Sequence, residues 1–244
     1  MGCKCGKEIN ENEKQFDDNN QSTEHNYENG LTKKNLLSSG FKLYNHKTNN
    51  LDLQYLTRNL SFSLYELINK IRTNPKSFID TIKIWKEKIV YKNNQYLLPI
   101  SNEIYISLNK GVNAFDECIT YLNQLEPMNS LIMKEELSIN IEDNIKENYE
   151  ESNYTSFSFF EKVIKIKKKE LEKNNKKYKI SGFHYDKSCD NPECSLVLQI
   201  VDDNMGDLSR RKNLLNPYFT YIGITTVIIK ENVFCYYCLF ANKN

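Results

Sequence analysis

Phe219-Thr-Tyr-Ile-Gly-Ile-Thr-Thr-Val-Ile-Ile229, then Lys230-Glu-Asn232, then Val233-Phe-Cys-Tyr-Tyr-Cys-Leu-Phe-Ala241 is the stretch that decides the fold class. Both runs are built from the β-branched and aromatic residues that suit a pleated, partly buried surface. The polar triplet between them is the right length for a closing hairpin. The longest apolar run, around Tyr221 to Ile229, is too short to span a bilayer as a helix.

Upstream of the hairpin the apolar period changes to that of helices. Ser63 and Glu66 read as a capping box, and Leu64, Leu67, Ile68 and Ile71 repeat at helical spacing from about Leu60 until Pro75 intervenes. Asn74 reads as the N-cap of a second helix with Pro75 in its first turn, and Phe78, Ile82, Trp85 and Ile89 mark its stripe. A third helix follows Gly111, with Val112, Phe115, Ile119 and Leu122 before Pro127, and Leu137, Ile141 and Ile145 suggest a fourth. Helices followed by a hairpin place the chain in the mixed α+β class.

A chain of 244 residues, 39% hydrophobic and 27% charged, can bury one sizeable core, and a net charge of +1 gives no global pull toward nucleic acid. Residues 1 to about 55 are rich in Asn, Glu, Lys and Asp, with few periodic apolar positions. They are expected to form a disordered tether, since they cannot offset the entropy of ordering, and the folded domain is expected over 60–244. The leading Met1-Gly-Cys-Lys-Cys-Gly-Lys7 carries an acylation pattern. Gly2 is the expected myristoylation site once Met1 is removed, with Cys3 and Cys5 in reach of palmitoylation, although Gly6 stands where Ser or Thr is usual. One myristoyl chain binds only marginally, so the cysteines supply the second signal. The expected address is therefore the cytoplasmic face of a membrane, with a tether that gives the domain a reach of about 40 Å. Between Glu161 and Ile180 nine Lys face three Glu, which reads as a solvated helix face or as a contact for anionic lipid.

Several segments in order resemble the CAP or SCP domain of cysteine-rich secretory and pathogenesis-related proteins, in a protist-like form. The resemblance spans about Leu64 to Ala241. It rests on Glu66-Leu-Ile-Asn-Lys-Ile-Arg-Thr-Asn-Pro75-Lys-Ser-Phe78, Gly111-Val-Asn-Ala-Phe115, Val197-Leu-Gln-Ile-Val-Asp-Asp203 and Arg211-Lys-Asn-Leu-Leu-Asn-Pro217-Tyr-Phe-Thr-Tyr-Ile-Gly-Ile224. It implies a three-layer α/β/α sandwich, a small and mostly antiparallel sheet between helices. It also implies a cleft in which two His and nearby acids bind metal in some members. At the matching positions this chain has Asn144 and Arg210 for the two His and Phe183 for the acid, beside His184. An amide, a guanidinium and a phenyl ring do not bind a divalent ion as imidazole and carboxylate do. The resemblance therefore implies a degenerate cleft without metal or other cofactor, and a non-catalytic domain that binds a protein or lipid partner.

Two alternatives stay open at this point. A slip of one or two residues would bring His184 or Glu142 into the cleft and make a metal-assisted hydrolase; a secreted CAP protein would make the sequons at Asn20, Asn59 and Asn153 matter. His184 with Asp186 as orienter could act as a general base, but no Gly-flanked Ser or poised Cys accompanies it. Cys189, Cys194, Cys235 and Cys238 have zinc-like spacings, yet positions 235 and 238 of one strand face opposite ways. Cys118 on the third helix reads as core. Asp202-Asp203 fits a turn at a helix end better than an acidic site with Glu135-Glu136, and Arg210, Arg211 and Lys212 read as a cap on that turn.

Overall fold

The computed structural model describes residues 50–100, 104–139, 157–173, 178–188, 190–203, 206–230 and 233–243. Gly2, Cys3, Cys5, Asn144 and Cys189 lie outside them, as do Ile141 and Ile145 of the expected fourth helix.

Helix α1 (Asn50–Thr73) buries Leu60, Leu64, Ile68 and Ile71, the stripe read from the sequence. It starts ten residues before Leu60, so Ser63 and Glu66 sit in mid-helix and form no capping box, and residue 55 lies inside the helix. Apolar periodicity marks the buried turns of a helix, and the first turns of α1 are mostly exposed. Pro75 disfavours helical geometry at Asn74, whose side chain makes no capping bond, and a 3₁₀ turn (Pro75–Phe78) leads into α2 (Ile79–Glu87). Ile82 and Trp85 are buried on α2, while Ile89 lies beyond its end.

Three strands that the helical reading passed over follow: β1 (Val90–Lys92), β2 (Gln95–Pro99) and β3 (Tyr105–Leu108), an antiparallel sheet. The turn between β1 and β2 is Asn93-Asn94, both at positive φ (53° and 59°), the conformation a two-residue hairpin turn needs and Asn tolerates. Gly111, at φ 58°, opens α3 (Val112–Gln124), which buries Ala114, Phe115, Cys118 and Leu122. Then come β4 (Ile132–Met133) and a 3₁₀ turn (Glu135–Leu137). Leu137 is thus on a 3₁₀ turn followed by extended Ser138, not on a fourth α-helix.

Next are α4 (Phe157–Lys173), β5 (Tyr178–Ser188), α5 (Pro192–Val201), α6 (Ser209–Leu214), β6 (Tyr221–Lys230) and β7 (Val233–Lys243). Asn191 caps α5 by accepting from the amides of Glu193 and Cys194, with Pro192 in the first turn. The expected hairpin is β6–β7, and it forms the middle of a mixed sheet ordered β4-β6-β7-β5, in which only β4 runs parallel to its neighbour. The fold is mixed α+β with two sheets.

β7 is covered on both sides. Phe234, Tyr236, Cys238 and Phe240 enter the larger core with residues of α1, α2, α3 and α5; Cys235, Tyr237, Leu239 and Ala241 enter a smaller core with Leu137 and with Val163, Ile164 and Leu171 of α4. Gly223 on β6 lets the 3₁₀ turn approach, since a Cβ there would collide with the backbone and side chain of Leu137.

Polar groups of α1 fasten loops to this frame. Asn69 bonds both the amide and the carbonyl of Leu131 (2.8 and 3.1 Å). The Arg72 guanidinium, fully buried, donates to the carbonyls of Asn129 (3.0 Å), Leu214 (2.7 Å) and Asn216 (3.0 Å). Desolvation by burial lowers its pKa to about 10, which leaves it charged at neutral pH.

Candidate functional site

The polar centre of the molecule lies between β5 and α5. On β5 the side chains alternate, so His184, Asp186 and Ser188 are all buried on one face while Phe183, Tyr185 and Lys187 are half-exposed. On α5, an otherwise apolar helix, Ser195 and Gln199 lie one turn apart and are fully buried. α6 then brings Arg210 to the same place.

These side chains form one directed chain of hydrogen bonds. Ser195 Oγ donates to Asp186 Oδ2 (3.1 Å), and Gln199 Nε2 donates to Ser195 Oγ (2.8 Å). Gln199 Oε1 therefore faces His184 Nε2 at 2.8 Å, and the imidazole must carry its proton on Nε2. Asp186 Oδ1 accepts from Arg210 Nη1 and Asp202 Oδ1 accepts from Arg210 Nε, each at 2.7 Å. Asp202 Oδ2 also takes the backbone amides of Arg210 (2.9 Å) and Arg211 (3.2 Å), so Asp202 satisfies two of the donors at the start of α6. Arg211 turns back and donates to the carbonyls of Ile200 and Val201 at the end of α5. One guanidinium thus bridges two carboxylates, while the other closes the end of α5, and together the arginines cap the acidic turn.

Burial sets the electrostatics. It lowers the His184 pKa to about 3, against the Gln199 hydrogen bond, so the ring is neutral at physiological pH. Burial pushes the Asp186 and Asp202 carboxyls above their ordinary range, with Arg210 opposing. Desolvation also lowers the Arg210 guanidinium, but the two carboxylates more than restore it and its pKa ends above the ordinary arginine value.

Of the residues expected to line a cleft, His184 and Arg210 join this buried network, Phe183 turns away from it, and Asn144 lies outside the described residues. Phe183 and His184, adjacent on β5, face opposite cores, and Phe183 meets α6 through its carbonyl, which accepts from Asn213 Nδ2 at 2.9 Å. His184 is 6% exposed with its ring 5.5 Å from that of Phe240, and its Nδ1 has no hydrogen-bond partner among the described residues. Asp186 does not orient His184: its two oxygens go to Ser195 and Arg210. A general-base role would need substrate to reach an imidazole in the core.

The zinc spacing fares similarly. Cys235 and Cys238 enter different cores, and Cys194 is buried beside Ser188 Oγ (3.9 Å). Burial raises the thiols of Cys118 and Cys235 to about 12 and that of Cys238 further, which keeps them protonated. Among the described residues no three His, Cys, Asp or Glu side chains gather as a metal cage. The acidic pairs separate as well: Asp202 belongs to the network, whereas Asp203 holds the amides of Asn109 and Lys110 and Glu135 pairs with Arg58.

Sequence reasoning missed Ser195, Gln199 and the joining role of Asp186. The signal was present, because two polar residues four apart interrupt an apolar helix and a polar triplet at 184, 186 and 188 repeats at the strand period. Surface hollows among the described residues include one between α1 and the start of α5 (Ser63, Glu66, Lys70, Glu193) and one along α3 (Asp116, Glu117, Tyr121), rimmed by Arg211. No helix among the described residues is long and apolar enough to cross a membrane. No protein-family model matches this chain, and no curated protein and no solved structure matches it.

Proposed function

We propose that the chain is a non-catalytic, membrane-tethered binding module: a degenerate CAP/SCP-like domain in a three-layer α/β/α arrangement. In this reading it is held on a cytoplasmic membrane face by acyl chains on Gly2, Cys3 and Cys5 and offers its surface to a protein or lipid partner. The arrangement of α1, α2, α3 and α5 on one side of β7 and α4 on the other is in keeping with such layers.

The single observation that carries the non-catalytic half is the engagement of Arg210. It stands where the resemblance puts a metal-binding His, and its guanidinium lies between Asp186 and Asp202, 12% exposed. A cation there fills the volume and supplies the charge that a metal would bring, and it has no lone pair to donate. Anchoring rests on the leading heptapeptide and is tested directly. Gly2→Ala and Cys3→Ser should each move the protein from the membrane pellet to the soluble fraction of its own cells. Undiminished pelleting of the double variant refutes the anchor.

A further inference from the structure

Helix α4 presents one continuous cationic stripe to solvent. Val163, Ile164, Lys167 and Leu171 are buried, which turns Lys162, Lys165, Ile166, Lys169 and Lys173 outward. At about 100° per residue these five positions fall within about 100° of arc, a single narrow face. The acids of the helix lie to its sides: Glu161 and Glu172 on one flank and Glu170 on the other, where Glu170 takes the ammonium of the buried Lys167 at 3.1 Å.

Lys165, Lys169 and Lys173 follow one another at four-residue spacing, an arrangement that repels itself on an isolated helix. An outside plane of negative charge removes that penalty. One edge of the stripe is apolar, with Ile166 at 49% exposure beside the lysines. Long lysine stems beside an exposed isoleucine suit the headgroup region of a bilayer, where the ammonium groups stay wet and the isoleucine enters the interface. The five residues named include no arginine for bidentate phosphate contacts and no aromatic ring for base stacking, the two features that RNA or single-stranded DNA would ask of them.

We propose that this face of α4 is a second membrane contact that binds anionic phospholipid and fixes which side of the domain faces the bilayer. The proposal deepens the tethered reading and rests on it for the presence of a membrane nearby, yet it can fail on its own. The test uses the full chain made without acylation, floated with vesicles of phosphatidylcholine alone or mixed with phosphatidylserine. Binding is expected with phosphatidylserine alone and is expected to weaken as salt rises. Each of Lys165→Gln, Lys169→Gln and Lys173→Gln should lower the partition coefficient about fivefold, as expected for a lysine close to an anionic surface. Ile166→Ser should lower it at low and high salt alike. Lys4→Gln with Lys7→Gln should leave most of the binding in place.

Equal binding to both vesicle types, no binding to either, or lysine variants that match the parent overturn the proposal. So does a lysine-dependent preference for poly-U RNA over phosphatidylserine vesicles. No acyl chain is present in this assay, so such a failure leaves the Gly2 anchor standing; a failed Gly2→Ala fractionation likewise leaves the vesicle result intact.

Discussion

At the scale of single residues, substitution in the network around Arg210 is costly. Asp202 is fully buried, ion-paired at 2.7 Å and bonded to two helix amides, so Asp202→Ala leaves the Arg210 guanidinium with Asp186 as its one remaining carboxylate and unsatisfies the start of α6. Removing one partner of a buried pair costs about 3–5 kcal/mol, which chemical denaturation will read directly. His184 supplies a pH signature. Its folded pKa, about 3, lies below its ordinary value of 6.5, so the unfolded chain binds more protons between those values and the His184 contribution to stability falls as pH drops through that window. The slope from this one group is at most about 1.4 kcal/mol per pH unit. The raised pKa values of Asp186 and Asp202 act with the opposite sign, since those carboxyls take up protons more readily in the folded state. His184→Gln removes the first effect and keeps the second, so the variant should gain on the parent as pH falls from 6.5. Parallel stability curves for the two proteins would contradict a buried neutral imidazole.

At the scale of elements, close approach decides what a sequence tolerates. Gly223→Ala would push the 3₁₀ turn at Glu135–Leu137 off β6, and overpacking of this kind costs about 1–3 kcal/mol, visible as a lower melting temperature. The same scale shows how far the sequence could be read. The stripes of α1, α2 and α3 and the β6–β7 hairpin were legible because each pairs a clear apolar period with a turn or breaker beside it. β1 to β3 were not, since they have only three to five residues each, β1 is exposed throughout, and the alternation of β3 runs over just four positions. Asn93-Asn94 was the available clue. β5 was obscured because its inward side holds His184, Asp186 and Ser188, so the buried face is polar and the hydrophobic pattern inverts. The candidate site suffered from the same cause: Arg210 could be named from one position, whereas Ser195, Gln199 and Asp186 matter through contacts between residues 4 to 24 apart.

At the scale of the whole molecule, the two cores share a single wall. Tyr236 and Tyr237 are both buried, one facing each core, and their removal should be felt together. Tyr236→Ala and Tyr237→Ala should each lower the midpoint of one common unfolding transition, by about 3–5 kcal/mol by analogy with other large aromatic truncations. Two separate transitions would show that the cores unfold independently. Composition and element order predicted a mixed α+β molecule, and two sheets with helices are what the chain forms. The shared wall was beyond sequence reasoning, because an uninterrupted apolar strand does not announce which neighbours will flank it.

β7 lies inside the sheet, yet the ribosome makes it after every other element described above. Until Val233 and the residues beyond it clear the exit tunnel, β5 and β6 have no strand to separate them, and α4 lacks the Cys235, Tyr237, Leu239 and Ala241 side chains it shares a core with. The nascent polypeptide must therefore keep its greasy surfaces from sticking elsewhere while translation completes. A premature stop just before Val233 would yield not a trimmed domain but a chain with no middle, fit for chaperones and proteases.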